Sequence, residues 1–348
     1  MDLSLLAPLF PYSVWDCWWL VPLALLLDLW LGDPELPWPH PVCFVGRLLA
    51  RLEGPARRRM TSGDPSGEER RGRLAGLACL LLLAGVTGLA AWLLISLPLL
   101  GVLLAVYLAW AGLAMGSLLE TGGEVLREVE TQPGAQARKA LSRLVSRDTN
   151  RMDRPLLRKT LADTLSENFT DALLAPLFWL LLAGPVGLWM YKAVSTTDSM
   201  WGYLTERWRW LGWAGARADD CLAFLPARMS VAALRLTDAL IRRLRPTARV
   251  WDGQWPGFRT VARQAAGMPS PNSGWSMTAC AWLCRSRMAG PSIYFGVLVD
   301  KPWLGPPDER AAPWDRARLL ALCALMRYST VCGGLVLWLA CLAFRMLR

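Results

Sequence analysis

LAGLACLLLLAGVTGLAAWLLISL, residues 74–97, contains no charged side chain and as a helix is long enough to cross about 30 Å of hydrocarbon. A second uncharged run follows at Leu99 to Leu119. Two such runs make the chain an integral membrane protein, mainly α and polytopic, because backbone polar groups in lipid must be satisfied within each segment. Trp15 to Leu31 is a third apolar segment, interrupted by Asp16 and Asp28 and bordered by tryptophans that suit the lipid interface. No Lys or Arg precedes it and no small-residue cleavage site follows, so it does not read as a signal peptide.

The whole chain, 348 residues with 54% hydrophobic content and 20 tryptophans, fits that class. Its net charge of +10 does not imply nucleic acid, since the cations flank apolar runs as the positive-inside rule requires. Residues 1–46 lack Lys and Arg, whereas Arg47 to Arg73 and Arg127 to Lys159 are rich in them. This places 74–97 and 99–119 as an out-and-back hairpin with cytoplasmic basic flanks. Three regions are expected: N-terminal membrane helices over 1–119, a cytoplasmic-side catalytic region over 120–318, and a C-terminal membrane segment over 319–348. Gly54 to Gly72 reads as a mobile surface linker. Ala172 to Tyr191 is apolar but broken by Pro176, Gly184, Pro185 and Gly187, which favours a buried or re-entrant hairpin over a full crossing. Leu319 to Phe344, anchored by Arg345 and Arg348, either crosses once or bends at Gly333-Gly334.

Nine cysteines show no metal or disulfide spacing, and the single histidine leaves a His-based zinc site or triad nearly excluded unless His40 serves. Chemistry is better sought in Asp163-Thr164-Leu165-Ser166-Glu167-Asn168-Phe169-Thr170-Asp171. As a helix this puts Asp163, Glu167 and Asp171 on one face, with Leu157, Leu161 and Leu165 opposite. Stacked carboxylates need compensation. Spacing alone favours a Lys159–Asp163 pair on a solvated face; the sharper alternative is a divalent cation, Mg²⁺, with bound phosphates. Asp153 before Pro155 starts that helix, and Asp148 reads as a local cap. Ser195 to Met200 surrounds Asp198 with hydroxyls, Asp219 and Asp220 are adjacent, and Arg235 to Arg263 is a basic amphipathic stretch. Met268 to Trp275 is a donor-rich turn whose helix either caps itself with Ser273 or binds phosphate.

Together these motifs resemble the CobD/CbiB family of cobalamin biosynthesis, the adenosylcobinamide-phosphate synthases, from about Asp28 to Gly305. The resemblance is carried by Leu31-Gly32-Asp33-Pro34 with His40-Pro41-Val42, by Arg147-Asp148-Thr149, and by Glu167-Asn168 with Asp171 and Ala175-Pro176-Leu177-Phe178-Trp179. It continues through Tyr191-Lys192-Ala193-Val194 with Asp198-Ser199-Met200, and Ala216-Arg217 with Asp219-Asp220 and Pro226-Ala227-Arg228. Ser270-Pro271-Asn272, Tyr294-Phe295-Gly296 and Asp300-Lys301-Pro302-Trp303 complete it.

The resemblance implies a carbon–nitrogen ligase of the bacterial inner membrane, multi-pass, with its active site facing the cytoplasm. It implies ATP-dependent joining of adenosylcobyric acid, a corrinoid, to aminopropanol or its phosphate, with ATP and Mg²⁺ as cofactors. Membrane lipid is the expected surrounding, and contact with other cobalamin-pathway enzymes is compatible with it. Glu167, Asn168, Asp171, His40 and Asp198 are then the catalytic candidates, His40 for moving the proton of the incoming ammonium. Glu167, Asp171, Asp198, Asp219 and Asp220 are the metal candidates. Arg147, Asp148, Lys192, Arg217, Arg228, Ser270, Asn272, Tyr294 and Lys301 are those for substrate or phosphate. Where the family commonly carries His before Ser-Pro-Asn, Asn before Thr-x-Asp and Glu at the start of the acidic helix, this chain has Met268, Ser195 and Asp163. Those substitutions motivate an alternative, a catalytically silent membrane homologue acting as an assembly or regulatory partner. A transporter, suggested by Asp28 and the broken helix, is disfavoured by motifs lying outside the spans and by the lack of an internal repeat.

Overall fold

The computed structural model describes residues 11–13, 17–34, 36–62, 64–294 and 296–346. Trp15, Asp16, Phe295 and Arg348, and the side chain of Arg345, lie outside that description. In chain order the helices begin with α1 (Leu20–Leu31), α2 (Pro41–Thr61), α3 (Glu68–Ile95), α4 (Gly101–Gly112), α5 (Met115–Thr131) and α6 (Gly134–Leu141). Next come α7 (Arg154–Phe169), a π-helical turn at Thr170–Leu174, α8 (Ala175–Trp201), α9 (Trp213–Leu222) and α10 (Phe224–Leu244). The chain ends with α11 (Phe258–Ala265), α12 (Ser273–Leu283), four short strands and α13 (Arg316–Met346). Glu68–Ile95, Gly101–Thr131, Arg154–Trp201 and Arg316–Ala343 are long and apolar enough to cross a membrane. The protein is mainly α and polytopic. It divides into two compact units that do not follow three consecutive segments: 1–114 with 175–223 and 337–348, and 115–174 with 224–336.

In the first unit α3 forms as the apolar run predicts and presents Leu74, Leu77, Leu81, Leu89 and Leu93 outward, an apolar surface suited to lipid. Its small residues face inward: any side chain at Gly76 would strike the Leu211 carbonyl, and one at Gly88 would meet Met190. α1 alone is too short to span. The expected helix over 99–119 is interrupted, because Leu113 is extended (ψ 159°) between α4 and α5. Gly112 there takes the Leu188 side chain where a Cβ would stand. The expected linker over 54–72 is also mostly helical. α2 continues through Pro55 and Arg57 to Arg59, leaving only a short turn around Pro65–Gly67. Arg71 ties that turn down by donating to the Met60 carbonyl (3.0 Å) and the Asp64 carbonyl (2.6 Å).

α8 contains a sharp break, with Ala183 at φ −133° and Gly184 at φ +57°, ψ −163°. Glycine is required there twice over, by the left-handed φ and by close approach of the Pro11 carbonyl. Ser195 to Met200, with its hydroxyls around Asp198, lies inside α8. The Thr196 and Thr197 hydroxyls donate to the carbonyls of Lys192 (2.7 Å) and Ala193 (2.8 Å), one turn back. At one end of this unit arginines and tryptophans interleave. Arg57 and Arg207 lie 5.3 and 4.7 Å from the Trp208 ring, and Arg73 lies 5.3 and 4.9 Å from Trp210 and Trp213.

The second unit is built around α7. Asp153 caps it by accepting from Leu156 N at 2.9 Å, as its position before Pro155 predicts. The expected division into an apolar and a solvated acidic face is not what forms. Leu157, Leu161 and Leu165 are buried, and so are Thr160, Asp163 and Ser166 on the other side. Gly122 of α5 admits Leu165, while α12 and β1 (Met288–Ala289) cover the polar side. Residues 288–304 hold two antiparallel pairs: β1 with β4 (Trp303–Leu304), and β2 (Ser292–Tyr294) with β3 (Val297–Val299). α13 runs through Gly333 and Gly334 without a bend.

Candidate functional site

The polar side of α7 encloses one carboxylate completely. Asp163, with no solvent exposure, accepts from Arg147 Nη1 at 2.6 Å and from Lys159 Nζ at 3.0 Å on Oδ2. Its Oδ1 accepts from the Ala289 backbone N–H at 2.9 Å. Lys159 also donates to the Ala289 carbonyl and lies 5.1 Å from the Trp303 ring. The Lys159–Asp163 pair foreseen from spacing therefore exists, but in the interior, reinforced by an arginine and a strand that spacing could not reveal. A second shared acceptor is Tyr294, whose hydroxyl accepts from Arg147 Nε (3.0 Å) and Lys301 Nζ (2.8 Å). With both lone pairs taken, its O–H proton remains to be donated elsewhere. Burial works against the Arg147 charge, but Asp163 and Tyr294 outweigh it and raise the guanidinium above its ordinary pKa.

Glu167 lies one turn beyond Asp163, and Lys301, Arg147 and Asp163 are the charges that act on it. Glu167, Tyr294 and Lys301 are partly exposed, so they form the accessible edge of a buried ionic base. Asn168 Nδ2 donates back to the Thr164 carbonyl at 3.0 Å. Asp171 stands inside the π-helical turn, whose wider winding takes it out of the straight Asp163–Glu167 register. Asp148 caps no helix; it closes a local turn by accepting from Asn150 N at 3.0 Å, while its own N–H bonds the Ile293 carbonyl.

A separate cluster in the same unit joins Arg228, Ser270 and Asn272. Arg228 Nη1 donates to Asn272 Oδ1 at 2.6 Å, Nη2 donates to the Pro271 carbonyl at 3.2 Å, and the guanidinium sits 4.5 Å from the Trp275 ring. Burial lowers the Arg228 pKa. Ser270 Oγ accepts from Asn272 N at 3.2 Å. α12 begins at Ser273, so Ser273 is not its cap; Asn272 holds that place but turns its side chain to Arg228. Met268 is buried against Gly274 and fills space there.

The remaining candidates lie in the first unit. His40 caps α2, its Nδ1 accepting from Val42 N at 3.3 Å. Its Nε2 is buried, with the Ala111 carbonyl near but forming no complete hydrogen bond. Burial holds the imidazole below its ordinary pKa, opposed by Asp33 and assisted by Lys192. A neutral ring whose Nδ1 lone pair faces Val42 carries its proton on Nε2. Asp198 is near the end of α8, where Asp220 of α9 is the charge that acts on it. Arg217 pairs with Asp220 at 3.6 Å on the surface. Among the described residues no three His, Cys, Asp or Glu side chains converge as a metal cluster. Mg²⁺ commonly takes one or two carboxylates and fills its octahedron with water and phosphate oxygen. Glu167 singly, or Asp198 beside Asp220, fits that requirement and no more demanding one. The Ala289 amide carries no sequence signal, whereas Lys159 is marked by its spacing to Asp163 and Trp303 by its place in the Asp300–Trp303 motif.

The family model described as CobD/Cbib protein matches residues 21–323. The chain is 39% identical over 291 residues to a cobalamin biosynthesis protein CobD of Pelobacter propionicus, covering 82% of this chain and 84% of the relative. It is 36% identical over 293 residues to the CobD of Photorhabdus laumondii, covering 82% and 86%. It is 34% identical over 305 residues to a cobalamin biosynthesis protein CbiB of Salmonella typhi, covering 86% and 91%. No solved structure matches it. With a helical, polytopic architecture and a family match spanning most of its length, the chain belongs to the CobD/CbiB family of cobalamin biosynthesis proteins.

Proposed function

We propose that this protein forms an amide between the propionate carboxylate of adenosylcobyric acid and the amine of aminopropanol or its phosphate, at the expense of ATP, on the cytoplasmic side of the inner membrane. The observation that carries the reading is the accessible edge of Glu167, Tyr294 and Lys301 on a base fixed by Asp163. A carboxylate is a poor electrophile, so it is first converted to an acyl phosphate with release of ADP. The amine nitrogen then attacks the acyl carbon and inorganic phosphate leaves. Such chemistry needs cations, a positioned donor and a proton acceptor, with no protein nucleophile. Arg147 and Lys301 supply positive charge, Tyr294 supplies a donor, and Glu167 takes the proton that the incoming ammonium must shed. Mg²⁺, held by carboxylates from the sets above, would neutralise nucleotide phosphate charge when bound.

His40 is less suited to proton transfer than its residue type implied, since capping occupies its one lone pair. The test supplies purified protein in detergent with adenosylcobyric acid, ATP, Mg²⁺ and aminopropanol phosphate, and looks for the amide by mass spectrometry. Replacing Glu167 with Gln is expected to abolish product while corrinoid binding persists; normal turnover by that variant removes Glu167 from the chemistry. A wild-type preparation that binds the corrinoid and forms no amide supports the silent-homologue reading instead.

A further inference from the structure

On the outer side of Arg147 is a cavity of about 420 Å³ walled by α6 and the Arg147–Asn150 turn. Arg138, Lys139 and Arg147 line it, with Ser142, Thr149 and Asn150 as neutral hydrogen-bonding groups. Asp148 also faces it, so three cations oppose one carboxylate. Arg147 and Thr149 are more than nine-tenths buried, and Arg147 is clamped from behind by Asp163 and Tyr294. One wall is therefore a preorganised cation whose placement costs nothing further when a ligand arrives. The opposite wall is adaptable: Lys139 is exposed, and Arg138 makes only a long hydrogen bond, 3.4 Å, to the Met152 carbonyl.

We propose that this cavity is a phosphoryl-binding subsite in which Arg138 and Lys139 complete, with Arg147, a cationic clamp on a phosphate dianion. Excess positive charge, guanidinium forks and neutral donors match three acceptor oxygens bearing close to two charges better than they match a single carboxylate. The dianion comes either from a small phosphorylated amine or from the nucleotide. Identifying it with the amine's phosphate rests on the ligase reading above; the clamp itself does not. Arg147 belongs to both places, lining the cavity while donating to Tyr294 and acting on Glu167, and that shared residue favours the amine as the source of the phosphate.

The test uses the full chain in nanodiscs of neutral lipid, with titration calorimetry against aminopropanol phosphate, aminopropanol, inorganic phosphate and a non-hydrolysable ATP analogue with Mg²⁺. Arg138→Gln, Lys139→Gln and the double variant change partly exposed positions, and unchanged melting temperatures establish that they fold. Aminopropanol phosphate is expected to bind, aminopropanol to bind far more weakly, and inorganic phosphate to compete. Each substitution is expected to weaken aminopropanol phosphate about tenfold, as loss of one charged hydrogen bond does, and Lys139→Arg to restore it. A loss confined to the ATP analogue supports the clamp and assigns it to the nucleotide. Equal affinities for every phosphorylated probe in wild type and double variant, or no binding of any by wild type, overturn the clamp. If wild type binds aminopropanol phosphate through these residues and still forms no amide, the ligase reading fails while the subsite stands. Wild-type amide formation at low amine phosphate by the double variant has the opposite consequence.

Discussion

Replacing Asp163 with Asn tests the centre of the site most directly. The carboxylate has no exposure and faces two cations whose side chains are themselves 5% and 10% exposed, together with a backbone N–H. Neutralising it leaves Arg147 and Lys159 buried beside each other with no shared counter-charge. The amide also has only one oxygen, so its NH₂ must face a donor. Removing one partner from a buried ionic cluster costs about 3–5 kcal/mol. Lys159→Met is milder, because Asp163 keeps Arg147 and the Ala289 amide; it orphans chiefly the Ala289 carbonyl, at about 1–3 kcal/mol. The double variant is then expected to be less destabilised than the sum, since deleting Lys159 relieves a cation that Asp163→Asn strands. Unfolding in mixed detergent micelles, followed by circular dichroism against denaturant, measures all three. An Asp163→Asn protein within about 0.5 kcal/mol of wild type, or strict additivity in the double variant, would refute the buried ionic network.

Three other outcomes follow from the same structure. Asp238 is buried, accepting from Trp251 Nε1 (2.8 Å) and Arg249 Nε (3.0 Å). Burial pushes its pKa up, but those bonds and the Arg242 and Arg249 charges prevail and hold it below the ordinary carboxylate value. Its contribution to stability is therefore complete above the unfolded-state pKa near 3.8 and lost as pH falls through the lower folded value, so Asp238→Asn flattens the acid limb of stability measured between pH 5 and 2. His40→Asn is expected to preserve both folding and amide formation, since Asn also caps, whereas His40→Leu loses about 1 kcal/mol of helix stability; an inactive but stable Asn variant would return His40 to the chemistry. Gly184→Ala is expected to cost about 1–3 kcal/mol through its left-handed φ and the crowding by Pro11, and a variant as stable as wild type by thermal melting would contradict the break in α8.

Much of the fold was legible in the sequence because it rests on local signals. The uncharged run at 74–97 gave α3, and Asp153 before Pro155 gave the start of α7. What stayed hidden depends on distant partners. Asp163 is satisfied by Arg147, 16 positions away, and by Ala289, 126 positions away, so the helix pattern showed only Lys159. The break after Gly112 answers to Leu188, and the π-helical turn leaves no mark in residue spacing. Residues 54–61 misled in the other direction: Gly, Pro and consecutive arginines look like linker, yet Glu53–Arg57 and the Arg–Trp contacts keep them helical.

Those Arg–Trp contacts also set a length. Arg73, held between Trp210 and Trp213, suits headgroup depth at one end of α3, and Trp92, exposed near the other end, suits the opposite interface. The rise between them is about 28 Å at 1.5 Å per residue, close to the thickness of the hydrocarbon layer. α3 thus works as a gauge with both stops built in. In a thinner bilayer it must tilt or draw the lipid inward, so the first unit is matched to one membrane thickness.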